Sequence, residues 1–204
     1  IRYNFVNVSI NGSNKGIFAF EEHFSKELLE SQNRREGVIV RLSPEQVHLN
    51  AHIPLLNRFH SDYTNTVAKA HQYKKITRDK TLRMQYQIAQ KMLEDFQMGL
   101  KPASEIFDVS LIARYMAITE LWNACHAQAF ANVRFYYNPI TGLLEPIGYD
   151  ASLWLDSNQL CTFSTWDFGL EFLSDRKIAI AFEQELFRVS SPKYIHSLRN
   201  DIQP

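Results

Sequence analysis

Three stretches of this chain carry side chains able to handle phosphate and a divalent cation. In the first, Gly16-Ile17-Phe18-Ala19-Phe20-Glu21-Glu22-His23-Phe24, an apolar strand runs into two carboxylates just before a helix. In the second, Val38-Ile39-Val40-Arg41, a β-branched strand ends in one cation. The third has two parts: Trp122 to Asn132, which carries His126, and, beyond a hairpin, Pro146-Ile147-Gly148-Tyr149-Asp150. An amide side chain at the start of one strand and a carboxylate at the end of its partner can converge on one edge. Hard oxygen donors so arranged suit Mg²⁺, which takes one or two carboxylates and fills its shell with phosphate oxygens and water. A strand-borne cation held by a carboxylate neutralises phosphate in a nucleotide pocket. Each feature also has a plainer reading: acids set against the positive end of a helix dipole, a solvated arginine, an asparagine in a turn, and an aspartate capping a loop through Ser152.

The elements that must position these groups are legible from spacing. Tyr3, Phe5, Val6, Val8 and Ile10 form one strand, the cluster 11–16 turns the chain, and Ile17, Phe18 and Phe20 return it. Phe24, Leu28 and Leu29 predict a helix running to about Arg35 and ended by Gly37. Residues 38–42 form a short strand. From Ser43 to about Lys75 the periodicity fades and His48, His52, His60 and His71 stand among polar residues, so little regular structure is expected there. Helices are predicted at 78–98, closed by Gly99 and Pro102, and at 108–124, with Asp108 as N-cap. A second hairpin runs from Val133 to Tyr149 about the turn 138–142, and helices near 177–188 and 191–201 finish the chain. No βαβ alternation occurs, so the expected class is α+β. Two parts follow: residues 1–75, sheet-rich with an insertion, and 76–204, helical and carrying the metal-site hairpin.

Composition removes several classes of function. The chain has 204 residues, 45% hydrophobic and 22% charged, which excludes a disordered tail or a fibrous rod. Lys+Arg and Asp+Glu both number 22, so no basic excess points to nucleic acid. No apolar run reaches the ~20 residues that cross a bilayer, so this segment is not expected to insert in a membrane. Cys125 and Cys161 are too few for a disulfide scaffold or a thiolate zinc site. His48 and His52 have the four-residue spacing of a zinc pair, but no glutamate adjoins His48 and Pro54 opposes a long helix. A glycosidase would need two acids facing across a cleft, and only Glu21 and Glu22 stand out as a pair. The chain opens on Ile1 with no initiator methionine, which is the expectation for a piece of a larger polypeptide.

The three stretches together resemble the CotH-like spore-coat kinase family. Residues Gly16 to Leu29 are similar to its glycine, aromatic, glutamate and helix signature, and Gly37-Val38-Ile39-Val40-Arg41 to the cation-ended strand that follows. Asn132-Val133-Arg134-Phe135-Tyr136-Tyr137 and Glu145-Pro146-Ile147-Gly148-Tyr149-Asp150 resemble its asparagine-aromatic strand and its metal segment. The similarity spans about residues 3–152. It implies an atypical protein-kinase-like fold, a small antiparallel sheet plus a helical lobe. It also implies ATP binding with Mg²⁺ or Mn²⁺ and transfer of the γ-phosphoryl to a hydroxyl of a protein or other acceptor. Carried over by position, Glu22 pairs with the strand cation or helps seat the metal, Arg41 touches phosphate, and Asn132 and Asp150 hold the ion. The compartment stays open, with a cell-surface or extracytoplasmic location what the resemblance suggests.

Two positions depart from that pattern. Kinases place a catalytic Asp five residues before the Asn, which here is Ala127, and no Asp occurs between Asp108 and Asp150. His126 is the nearest titratable group and the candidate base. Arg41 stands where the family usually has Lys, and a planar fork does not replace a compact ammonium freely. A second reading follows: a pseudokinase or surface-interaction module that binds nucleotide or a partner without transfer.

Overall fold

The computed structural model describes residues 1–43, 62–151, 160, 162–163 and 167–202. The chain is α+β. Its first two strands, β1 (Tyr3–Ile10) and β2 (Ser13–Glu21), form a separate antiparallel ribbon. Asn11 and Gly12 both take positive φ, the type I′ geometry that matches the twist of a two-residue hairpin. Tyr3, Phe5, Ile17 and Phe20 are all exposed on this ribbon.

A four-stranded antiparallel sheet in the order β4-β3-β5-β6 is built from β3 (Ile39–Ser43), β4 (Val67–Ala70), β5 (Arg134–Asn138) and β6 (Leu143–Ile147). β3 belongs to the first part of the chain and β5 to the second, so both parts share one sheet. The strand β4 corrects the expectation of an irregular 43–75: residues 62–65 form a 3₁₀ turn and Tyr73–Ile76 a short helix, α2. Two alanines and a lysine give β4 little strand propensity of its own, and pairing with β3 imposes it. His48, His52, Pro54 and His60 lie outside the described residues.

Alternation along the strands splits the sheet into two faces. Val40, Leu42, Ala68, Phe135 and Leu144 point into the main core. There they meet Leu93 and Phe96 of α3 (Lys80–Gln97), Ile106 of α4 (Ala103–Ile106) and Ile112 and Met116 of α5 (Val109–Leu121). Phe168 and Phe172 of α7 (Asp167–Ser174) and Ile178 of α8 (Arg176–Val189) complete it. Phe107, Phe96 and Phe172 interlock with ring centroids 4.8 to 5.0 Å apart, and each such buried side chain contributes about 2–3 kcal/mol. The helix α7 was not visible in sequence because Gly169 interrupts it. A Cβ there would lie 2.0 Å from the Phe163 carbonyl oxygen, so close approach excludes any other residue.

The opposite face carries Ile39 and Tyr136, covered by Phe24, Leu28 and Leu29 at α1 (Lys26–Ser31), which is shorter than the predicted 24–35. Beyond that cover, Arg41 lies opposite both Lys69 and Arg134 in register. The remaining helices are α6 (Cys125–Gln128) and α9 (Pro192–Ile202). Asp108 caps α5 by accepting from the Leu111 amide at 2.9 Å, and the Asp108 amide donates to the Leu144 carbonyl at 2.9 Å, which docks α5 on β6.

Candidate functional site

The end of α5 decides where His126 lies. Asn123 takes φ +50, and the Asn123 and Ala124 amides donate to the carbonyls of Glu120 and Thr119 at 2.9 and 2.8 Å. This left-handed stop ends the helix at Leu121, earlier than the expected 124, and turns the chain into α6. Tyr115, one turn and a half upstream, donates its hydroxyl to the Ala127 carbonyl and ties α6 down from below. Burial raises the Tyr115 phenol pKa well above its ordinary value, so it stays a donor. Ala127, the position five before Asn132, is 1% exposed and turned inward. His126 beside it is exposed, and its Nδ1 lies 2.7 Å from Asp150 Oδ2.

Asn132 joins the same constellation through the backbone. Its Nδ2 donates to the His126 carbonyl at 2.9 Å, leaving the amide oxygen as its second polar atom. The ring of His126 thus reaches Asp150 while its carbonyl takes Asn132, so the three groups share one edge of the β5–β6 hairpin. Asp150 lies three residues past the end of β6, not on the strand, and takes φ +52. Tyr149 leaves the sheet line to pack edge-on against Phe24 with centroids 5.1 Å apart, and the left-handed bend that follows returns the carboxylate toward His126. That conformation costs a non-glycine residue about 1–2 kcal/mol, least for Asn and Asp.

Arg134, which sequence reasoning placed only within a motif, is the centre of the adjoining face. The residue is 7% exposed, and its guanidinium lies over Tyr149 at 5.0 Å and Phe24 at 5.5 Å. Nη1 donates to the Ala131 carbonyl at 2.7 Å. Burial and the Arg41 charge both lower its pKa, in that order. His71 packs on Phe24 with centroids 4.6 Å apart, and burial first, then Arg134, Arg41 and His23, push its pKa down to about 4. A neutral imidazole and two guanidiniums therefore meet here. Alternation puts Arg134 on the face opposite Phe135, where an arginine reads as an outward charge until the cover supplied by Phe24 and Tyr149 is known.

Glu22 is not brought to Arg41. It is held by Arg2, whose Nε donates to Glu22 Oε1 at 3.0 Å and whose backbone amide donates to Oε2 at 3.2 Å. The Glu22 amide returns a bond to the Arg2 carbonyl at 3.0 Å, so the start of the ribbon puts Arg2 next to this carboxylate. Those donors lower the Glu22 pKa. Arg41 has no carboxylate partner among the described residues. Among those residues, too, no three His, Cys, Asp or Glu side chains converge as a metal cage.

A family model described as CotH kinase protein matches residues 1–197. The chain belongs to the CotH kinase family. No curated protein matches it. The match runs through both parts of the chain and so covers the ribbon, the shared sheet and the helices together. Membership makes this domain kinase-like, and the His126–Asp150–Asn132 edge with the arginine face beside it is its candidate site. Among the described residues no helix is long and apolar enough to cross a membrane.

Proposed function

We propose that this CotH kinase domain binds ATP with Mg²⁺ or Mn²⁺ and transfers the γ-phosphoryl group to a hydroxyl of a protein or other acceptor. The observation that carries the reading is the His126 bridge, which gathers a carboxylate and an amide beside a face with two arginines that have no carboxylate partner among the described residues. The donor chemistry fits a hard divalent ion: Asp150 spends Oδ2 on His126 and keeps Oδ1, and Asn132 keeps its amide oxygen. Two protein oxygens are what Mg²⁺ uses when substrate phosphates and water supply the rest. When bound, the ion would neutralise phosphate charge.

The residues of the chain supply alignment and a proton acceptor. An ionised Asp150 can only accept, so His126 carries its proton on Nδ1 and leaves Nε2 open as a base. As the acceptor oxygen forms its bond to the γ-phosphorus, the P–O bond to ADP breaks and the hydroxyl proton passes to Nε2. Arg41, half-buried on β3, neutralises phosphate oxygens. Glu22, held by Arg2, keeps the second role its position implies, helping to seat the metal, rather than pairing with Arg41.

Thermal denaturation with ATP and Mg²⁺ or Mn²⁺ tests the binding half, because a ligand of the native state alone raises the melting temperature. Radiolabelled γ-phosphate transfer tests the chemistry. His126→Ala is expected to lower transfer about 10²-fold or more, the usual scale for a general base, while keeping the ATP-dependent shift. Full turnover in that variant removes His126 as the base, and a shift without transfer in the natural sequence supports the nucleotide-binding module instead.

A further inference from the structure

Arg134 and Arg41 are direct cross-strand partners, with Lys69 next in the same register row. Like charges placed opposite each other destabilise a sheet, and a guanidinium as buried as Arg134 is ordinarily paired with a carboxylate. Neither arginine has such a partner among the described residues; Glu22 belongs to Arg2, and Asp150 lies against His126. The Arg134 Nε is buried and has no acceptor among the described residues. Tyr149 and Phe24 cover two sides of the guanidinium but cannot discharge it.

We propose that Arg41 and Arg134 form a two-guanidinium clamp for a condensed phosphate chain, with Arg41 as the contacting side and Arg134 as the buried charge beneath it. Strand spacing is about 4.8 Å, so Arg41 and Arg134 stand about one spacing apart on one face of the sheet, where successive phosphates of a chain can meet different arginines and bring them more negative charge than orthophosphate does. Burial leaves the field of Arg134 little screened by water, which gives a residue with scant exposure a strong pull on an anion. The row ends beside Tyr149 and Asp150, so a chain lying along it delivers its terminal phosphorus to the His126 edge. This inference deepens the nucleotide reading, since it names the part of the ligand that the sheet recognises.

The probe is inorganic tripolyphosphate without metal, measured by thermal shift and calorimetry on the whole chain, with orthophosphate as control. The clamp predicts that tripolyphosphate raises the melting temperature and orthophosphate does so far less. Arg41→Met and Arg134→Met should each weaken tripolyphosphate about tenfold or more, since both remove a charged partner, and each should flatten the salt dependence of binding. Arg134→Lys keeps the charge and should retain most of the affinity, a result that a purely structural arginine would not give. Arg41 is only half-buried, so Arg41→Met serves if Arg134→Met fails to fold. Unchanged tripolyphosphate affinity in a folded Arg41→Met variant overturns the clamp, as does equal binding of orthophosphate. If the natural chain binds tripolyphosphate but not ATP with Mg²⁺, the clamp stands and the nucleotide reading falls. If ATP with Mg²⁺ binds undiminished to both methionine variants, the reverse holds.

Discussion

Replacing Asp150 separates its backbone role from its side-chain role. Its φ of +52 sits in the left-handed region, and its carboxylate accepts from His126 at 2.7 Å. Asp150→Ala loses that partly exposed charge-assisted bond, about 0.5–1 kcal/mol. It also puts a Cβ without a local hydrogen-bonding side chain into the left-handed region, a further ~0.5–1 kcal/mol. Asp150→Gly loses the same bond but removes the steric strain, and the added freedom of the unfolded chain offsets part of that gain by roughly 0.4–1 kcal/mol. For a chain of this size 1 kcal/mol moves the melting temperature by about 2–4 °C. The alanine variant should therefore melt about 3–6 °C below the natural chain, and the glycine variant should lie between them. Both should lose the Mg²⁺-dependent ATP shift, because neither retains an oxygen donor. Differential scanning calorimetry with and without ATP and Mg²⁺ reads all three quantities. Equal melting temperatures for Ala and Gly refute the strain argument, and a surviving Mg²⁺-dependent shift in either takes Asp150 out of the site.

Two further predictions concern the frame. At Gly37 a Cβ would lie 2.6 Å from the Tyr137 carbonyl oxygen and 2.7 Å from Tyr136 Cε2, so Gly37→Ala must push β3 off β5; a loss of about 2–3 kcal/mol should appear as a fall in the urea midpoint, and an unchanged midpoint contradicts the close approach. His71 is held neutral with a pKa of about 4 against 6.5 when unfolded, so the unfolded chain takes up the proton first. Its contribution is intact above pH 6.5 and is lost as pH falls toward 4, on the order of 1–2 kcal/mol once partial solvent screening is allowed for. His71→Phe keeps a ring on Phe24 and should flatten the stability profile between pH 7 and 4.5; a profile as steep as that of the natural chain assigns the titration elsewhere.

Much of this architecture is written in local pattern. The Asn11-Gly12 turn, the Asp108 cap, the α3 stripe and the β5–β6 hairpin all follow from signals a few residues long, and the structure places each within a few residues of expectation. What escaped were features set by distant partners. Val67 to Ala70 becomes a strand because β3 offers it an edge, and α7 carries Gly169 where the Phe163 backbone comes too close for a Cβ. Within the site, Asn132, His126 and Asp150 were legible as residue types, and the structure gathers them. The pairing of Glu22 with Arg2 was not legible, because it depends on how the first residues cross the end of β2. Arg134 was hidden for the same reason: whether an alternating arginine falls on an open or a covered face of the sheet is a fact of register, and one residue of slip reverses it.

The bond between β3 and β5 joins segments about a hundred residues apart in the chain. During synthesis at 5–20 residues per second, β3 leaves the ribosome roughly 5–20 s before its neighbour exists. Val38, Ile39 and Val40, all buried in the finished protein, spend that interval as a bare apolar edge of the kind that chaperones shield. Neither half of the chain can close the sheet by itself, so the row that sets Arg41 beside Arg134 exists only after β5 has been made.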